Sequence, residues 1–174
     1  MVISTKFTHA DLLVMPEDGR QREIVDGDLF VTPSPKFSHQ AISRRICAAF
    51  LKYVESHPIG EIIYAPLDVI LSEFDVVEPD LLFVLNEHRS ILRDWVRGAP
   101  DLVIEILSAA TAAHDRGPKL KAYARSGVTE YGSSIRNRES LKSTEPARKD
   151  TNWLTSFAST RRSSHRCFRG LCST

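Results

Sequence analysis

The stretch that decides the fold of this chain is Val76-Val77-Glu78-Pro79-Asp80-Leu81-Leu82-Phe83-Val84, followed by Asp101-Leu102-Val103-Ile104-Glu105-Ile106-Leu107-Ser108. Both runs are apolar, rich in Val and Ile and bounded by polar residues, which predicts two short, buried strands. A carboxylate in a buried strand costs free energy unless something pairs with it. Asp80 and Glu105 therefore need a partner, and a shared metal ion is the simplest hypothesis.

The composition predicts one globular domain. The 174 residues suit a single core of ordinary size, and no apolar run approaches the roughly 20 residues of a membrane span. The N-terminus lacks the long apolar stretch of a secretory signal, so we expect a cytoplasmic protein with no membrane partner. The three cysteines, Cys47, Cys167 and Cys172, match neither a disulfide framework nor a zinc pattern.

Local signals divide residues 1–131 into helices and strands. Asp26-Gly27 predicts a hairpin, with Glu23 as an exposed residue of its first strand. Apolar residues at helical spacing predict a helix over about 39–56, capped by Ser38, with His39 at the surface. Further strands are expected over 61–64, 67–72 and 128–131, the last stopping abruptly, and Pro79 belongs at a strand end or bulge. A helix is expected over 118–125, with Pro118 at its first position and Gly127 just past its end.

Asp80, Glu105 and a lysine from the helix after the second strand form a candidate metal site. Two carboxylates on neighbouring strands can hold Mg²⁺, which prefers oxygen ligands and keeps several waters. The ion lowers the pKa of a bound water, and a nearby lysine can orient that water or stabilise a phosphate. Such a set would hydrolyse a phosphodiester. A structural ion pair is the competing interpretation, because one acid in each of two strands is common.

An ordered set of short segments runs through residues 10–131. These segments are Arg22-Glu23-Ile24-Val25-Asp26-Gly27-Asp28-Leu29, Pro33-Ser34-Pro35 with Ser38-His39-Gln40, Pro79 to Val84, Gly98 to Ser108, Asp115 to Leu120, Tyr123-Ala124, and Gly127 to Tyr131. Together they resemble the Uma2-like family of the PD-(D/E)XK superfamily. The resemblance implies an α/β fold with a restriction-endonuclease-like core, in which helices flank a mixed β-sheet. It also implies a Mg²⁺-dependent (or Mn²⁺-dependent) endonuclease with DNA as its substrate, and it leaves a homodimer open.

The resemblance implies roles for particular residues. Asp80 corresponds to the Asp of the PD motif and Glu105 to the acid of the (D/E)XK motif. Both would be metal ligands, together with the backbone carbonyl of Ile106. Glu23 would be an auxiliary acid near the metal, and His39-Gln40 would lie at the rim of the cleft.

The catalytic lysine departs from the superfamily pattern. Leu107 stands where the lysine is expected, and the resemblance implies that Lys119 of the next helix supplies it instead. Helical geometry agrees, because Lys119 lies four residues before Tyr123 and on the same side. Lys121 falls with Arg125 on a more solvated side and is the fallback.

The segment after Tyr131 differs in character from the rest. Residues 132–174 carry nine Lys/Arg and three Asp/Glu, against fourteen and nineteen in residues 1–131, and show almost no periodicity. Relatives of the resembled family continue Trp-Ile-Val-Asp-Pro after Glu-Tyr. The codons TGG ATC GTC GAT CCG GAA TCG CGA GTC, read without their first T, encode Gly-Ser-Ser-Ile-Arg-Asn-Arg-Glu-Ser, which matches residues 132–140. We therefore predict that residues 132–174 are out of frame, irregular and lacking the C-terminal strands, rather than a basic DNA-binding arm.

Two functions of different classes follow. The first is the metal-dependent endonuclease acting on DNA. The second is a catalytically inactive interaction or nucleic-acid-binding module with the same fold. The acidic balance of residues 1–131 offers no electrostatic support for tight DNA binding, although the charge of a cleft is a local property.

Overall fold

The strands and helices form in the order that the turn and periodicity signals predict. The structure is a computed structural model that describes residues 6–109, 111–135 and 142–143. The elements are α1 (His9–Leu12), β1 (Gln21–Val25), β2 (Asp28–Thr32), α2 (Phe37–Ser56), β3 (Gly60–Tyr64), β4 (Val69–Ser72), β5 (Asp75–Val77), β6 (Leu81–Leu85), a 3₁₀ helix (Asn86–Ile91), β7 (Val96–Arg97), β8 (Leu102–Leu107), α3 (Ala112–His114), a π-helical turn (Asp115–Lys119), α4 (Leu120–Ser126), β9 (Glu130–Ile135) and β10 (Lys142–Ser143).

These strands form two mixed sheets rather than the single sheet that we expected. The first has the order β2-β1-β5-β4-β7 and the second β10-β9-β8-β6-β3. The parallel pairs are β4 with β7 and β8 with β9. The chain passes from one sheet to the other between β5 and β6, at Glu78-Pro79-Asp80. The single strand predicted over 76–84 is therefore wrong, because this run forms two strands in different sheets, with Asp80 between them. Pro79 lies at the break, which agrees with the prediction of a strand end, and the predicted α/β class is confirmed.

Two apolar clusters hold the sheets and helices together. One contains Val25, Val77, Leu82, Val103 and Tyr123 and joins the first sheet to α4 and the second sheet. In the other, Phe50 and Tyr53 of α2 pack against β6 and β8. Every residue of β8 is buried, so Glu105 lies in a strand without a solvated face. None of the described helices is long and apolar enough to cross a membrane.

Several local predictions can be compared with the structure. The hairpin is present, with Val25 opposite Asp28. Asp26 and Gly27 have positive φ values of 57° and 80°, as a two-residue primed turn requires. The long helix begins at Phe37, with Lys36 and not Ser38 at its N-cap.

The second helical segment starts earlier than predicted. It begins with α3 at Ala112, so Pro118 lies inside a helix and not at a first position. Gly127 does end α4 in the left-handed region, at φ 89°. The prediction at this end of the helix is confirmed.

β9 continues past Tyr131, so the predicted stop at that residue is wrong. The strand runs to Ile135 and pairs in parallel with β8, with Gly132 opposite Ile104 and Ser133 opposite Glu105. The two residues of β10 pair with Gly132 and Ser133. Apart from residues 132–135 and 142–143, the tail lies outside the described residues. For those positions its irregularity stays a prediction.

Candidate active site

A cleft of about 230 Å³ lies where β1, the start of α2, the break between β5 and β6, and the end of β8 meet. Five carboxylic acids line it, and Lys119 lies among them. The cleft-lining residues used below are Gln21, Glu23, His39, Glu78, Asp80, Glu105, Ile106, Asp115 and Lys119.

Lys119 joins the acids of two different sheets. Its Nζ lies 2.6 Å from Oε1 of Glu23 in β1 and 2.7 Å from Oε1 of Glu105 in β8. The side chains of all three residues are at most 5% exposed. Oδ1 of Asp115 lies 3.9 Å from the same nitrogen. The lysine is therefore a buried counter-ion for several carboxylates, and its removal would leave them uncompensated.

The helix that carries Lys119 changes its winding at this point. Residues Asp115–Lys119 form a π-helical turn with Pro118 inside it. Proline has no N–H and cannot make the regular α-helical bond, and π-turns are frequent at functional sites. One α-helical turn further on, the hydroxyl of Tyr123 donates to Oε1 of Glu105 at 2.6 Å. Lys119 and Tyr123 therefore converge on one carboxylate oxygen.

Asp80 is held by the neighbouring strand. Its Oδ2 accepts a hydrogen bond of 2.7 Å from the backbone N–H of Ile106. Its Oδ1 lies 3.3 Å from Nε2 of His39. Asp80 and Glu105 thus face the same cleft: Asp80 directly precedes β6, and Glu105 lies in the neighbouring antiparallel strand β8, where Ile104 is opposite Leu81.

Glu23 is fixed from three sides. Its Oε1 accepts the N–H of Glu78 at 2.7 Å as well as the hydrogen bond from Lys119. Its Oε2 lies 3.6 Å from Nε2 of His114, whose ring packs against Phe30 at a centroid separation of 3.9 Å. The expectation that Glu23 is an exposed strand residue is wrong, because Glu23 is buried and lines the cleft. Its role as an auxiliary acid near a metal stays a prediction.

The charges of the cluster respond to burial and to one another. Burial opposes ionisation of Glu23, but Lys119, His114 and the Glu78 amide outweigh it and lower the pKa of Glu23 to about 2. Burial raises the pKa of Glu105 to about 8 despite the opposing effect of Lys119. Burial and the nearby Asp68 raise the pKa of Glu78 to about 7. The pKa of Lys119 rises above its usual value because the surrounding acids outweigh its burial, so it remains an ammonium ion.

The structure brings the predicted site residues together. Asp80, Glu105, Lys119 and the Ile106 backbone all border the cleft, whereas Lys121 is exposed. His39 is not a surface residue, because its side chain is only 16% exposed and contacts Asp80. Its position on the α2 stripe that continues through Ile42 and Ile46 could have revealed this.

Three further residues were missed. The sequence analysis gives no role in the site to Tyr123, Glu78 or His114. The signal for Tyr123 was its spacing from Lys119, whereas no local pattern pointed Glu78 or His114 into the cluster.

The donor set fits a hard divalent cation. Within the described residues, no three His, Cys, Asp or Glu side chains form a preformed metal cage. Asp80, Glu105 and the Ile106 carbonyl would supply three protein ligands, which suits Mg²⁺ because that ion keeps several waters and takes one or two carboxylates. Burial opposes the ionisation of Glu78 and Glu105, and a bound cation would favour their charged forms.

Comparisons with known proteins identify a family and a structural neighbour. Residues 9–171 match the Uma2 family, described as "Putative restriction endonuclease". The chain belongs to this family. A solved structure described as a putative nuclease belonging to DUF820, from Anabaena variabilis, shares the fold with a TM-score of 0.69, 18% sequence identity and 82% coverage of each chain. No curated protein matches the chain.

The family match bears on the predicted frame change. It extends past Tyr131 to residue 171, which an out-of-frame tail does not lead us to expect. In favour of the frame change, Gly132 and Ser133 are buried beside the wholly buried β8, and strands in such a position are typically apolar. The frame change stays a prediction.

Proposed function

We propose that this chain is a Mg²⁺- or Mn²⁺-dependent endonuclease that hydrolyses DNA phosphodiester bonds. The observation that carries the proposal is the ion-pair contact of Lys119 with Glu105, in the same cleft as Asp80. The family description and the fold support a nuclease, and the site adds the residue roles. Nothing in this arrangement requires a residue from the segment after Tyr131.

Asp80, Glu105 and the Ile106 carbonyl would hold the ion. When bound, the ion would lower the pKa of a coordinated water and neutralise negative charge on the phosphate. The chain's own groups then have distinct tasks. Lys119 keeps its proton and can donate a hydrogen bond to the attacking water or to a phosphate oxygen. Glu23 holds the ammonium group of Lys119 at the cleft and keeps it charged.

Tyr123 and Ile106 position the two acids. The Tyr123 hydroxyl fixes one oxygen of Glu105, and the Ile106 N–H fixes one oxygen of Asp80. The other oxygen of Glu105 is then available to a ligand, and the other oxygen of Asp80 faces Nε2 of His39 at 3.3 Å. Such preorganisation matters because an error of about 1 Å in the position of a reacting group can cost about a hundredfold in rate.

The test is nicking of supercoiled plasmid in Mg²⁺ or Mn²⁺ by the wild-type chain and by Asp80→Asn and Glu105→Gln. Glu87→Gln is the matched control, because Glu87 is exposed and outside the cleft. We expect nicking by the wild type and the control only. DNA binding without nicking would instead support an inactive nucleic-acid-binding module. If the wild type neither nicks nor binds DNA, and the two cleft variants are merely less stable, the cluster is only a structural ion-pair network.

A further inference from the structure

Helix α2 and the loop before it carry positive charge on an otherwise acidic body. Residues 29–54 contain four Lys/Arg and no Asp or Glu, whereas the other residues up to Tyr131 contain ten Lys/Arg and nineteen Asp/Glu. All four cations are exposed, and they are Lys36, Arg44, Arg45 and Lys52. A surface segment of one sign attracts ligands of the opposite charge.

These four side chains form no ion pair with an acid of the described residues. Exposed arginines elsewhere do, since Arg89 pairs with Glu61 at 2.6 Å and Arg125 pairs with Asp75. The positive charge of α2 is therefore not neutralised within the described part of the chain. It is available to a partner whose negative charges are spread along the helix, and the phosphate backbone of DNA has that form.

The charge follows one side of α2 and starts at the cleft. Lys36 and Ser38 line the cleft, and Arg45 and Lys52 follow Ser38 at intervals of seven residues. Seven residues make nearly two turns, so Ser38, Arg45 and Lys52 lie along one side of the helix over about 21 Å. Arg44 flanks this row, and the four cations together are called the basic stripe. A DNA strand carries one phosphate about every 3.4 Å along the duplex axis, so about six phosphates match the length of the row.

An aromatic side chain lies exposed where the basic stripe meets the cleft. Phe37 is 88% exposed, more than any other exposed large hydrophobic residue in the described part of the chain. Its two neighbours in sequence, Lys36 and Ser38, both line the cleft. A basic surface with an exposed aromatic ring is the combination on which unpaired bases stack, because every base has a π-face.

We infer that the basic stripe binds the DNA strand that leaves the cleft, with Phe37 stacked on a base beside the bond to be cut. The inference rests on the proposed function, since its ligand is the same DNA. It adds the path of the strand and a substrate preference. A base inside a duplex is already stacked and costs free energy to extrude, so DNA with unpaired bases at the cleft should bind more tightly than a continuous duplex.

The test is fluorescence anisotropy of a labelled duplex with a single-stranded flap, and of the same duplex without the flap. EDTA is present to prevent metal-dependent cleavage, and salt is varied from about 50 to 200 mM. Arg45→Gln and Lys52→Gln should each weaken binding to both DNAs and reduce the slope of log affinity against log salt by about 1. Phe37→Ala should weaken binding to the flap DNA by about tenfold, with the salt slope unchanged and little effect on the plain duplex.

Lys121→Gln is the matched control, because Lys121 is an exposed cation of α4 on the other side of the second sheet. Tyr123 of α4 belongs to the same apolar cluster as Leu82, whereas Phe50 of α2 belongs to the cluster of Leu81. Successive residues of a strand point to opposite faces of the sheet, so the two helices pack on opposite faces. The control should keep the affinity and the salt slope of the wild type.

The outcomes separate this inference from the proposed function. Every variant keeps residues 132–174, so the positive charge of the tail contributes equally to all of them. Wild-type binding by Arg45→Gln and Lys52→Gln, or an equal loss in Lys121→Gln, would overturn the stripe, and plasmid nicking would still support the nuclease. Phe37→Ala that binds flap DNA normally would overturn the stacking, and if it also dissociates a dimer in sedimentation, the face is a contact between copies of the chain. Neither binding nor nicking by the wild type would overturn both proposals.

Discussion

Replacing Lys119 by Met tests the buried charge cluster most directly. Methionine has a similar length but no charge, so the substitution removes the counter-ion of Glu23 and Glu105 with little change in volume. All three side chains are at most 5% exposed, and breaking a buried ion pair by removing one partner costs about 3–5 kcal/mol. At a urea m value of about 2 kcal/mol/M, the unfolding midpoint should fall by about 2 M.

The assay is urea denaturation of the full chain, followed by circular dichroism at pH 7 and pH 5. Lys121→Met is the control, because Lys121 lies two residues away on the same helix but is exposed. Its effect should stay within about 0.5 kcal/mol. In Lys119→Met, Glu23 loses its cation, so its folded-state pKa should rise from about 2 to above the unfolded value. The pKa of Glu105 is already raised in the wild type.

This difference fixes the sign of the pH effect. A carboxyl group with a raised folded-state pKa destabilises the protein at high pH, and the penalty is lost as pH falls toward the unfolded pKa of about 4.3. The gap between the wild type and Lys119→Met should therefore be smaller at pH 5 than at pH 7. Equal midpoints for Lys119→Met and Lys121→Met would refute the assignment of Lys119 as a buried counter-ion.

Three other predictions concern separate parts of the molecule. Burial opposes ionisation of Asp75, but the Asp26 amide and Arg125 outweigh it and lower the pKa of Asp75. The ionised Asp75 therefore stabilises the folded protein above about pH 4, and this contribution is lost in acid. Thermal melts should show Asp75→Asn destabilised at pH 7 and closer to the wild type at pH 3. Gly127→Ala should destabilise by about 1 kcal/mol because φ is 89°, whereas Gly117→Ala should not, although an added Cβ meets no atom at either position; opposite results in urea melts would contradict this. Resequencing the locus should reveal a missing base after the Tyr131 codon, and an intact frame encoding Gly-Ser-Ser would end that hypothesis.

Much of the architecture could be predicted because it depends on neighbours in the chain. Asp26-Gly27 adopts the positive φ values that its turn requires, and Gly127 ends its helix in the left-handed region. Lys119 and Tyr123 lie on one side of their helix because four residues make about one turn. Boundaries were less accurate, since Phe37 rather than His39 begins α2.

The extent of β9 could not be predicted from its residues. Gly132 and Ser133 have weak strand propensity, yet they lie in a strand because β8 offers a full row of hydrogen-bonding partners. Tertiary pairing overrides local preference at this position. The two-sheet arrangement has the same origin, because the break at Pro79 indicates where a strand ends but not which sheet the next strand joins.

The sequence by itself determined which side of each element carries chemistry: it placed Lys119 with Tyr123, and Glu105 in a buried strand. Only the tertiary structure decided that Glu23 meets Lys119, 96 residues away along the chain, and that His39 faces Asp80. The physical reason is that local periodicity sets the direction of a side chain relative to its own helix or strand. Which group it then contacts depends on the order of the strands and on how α2 packs across them.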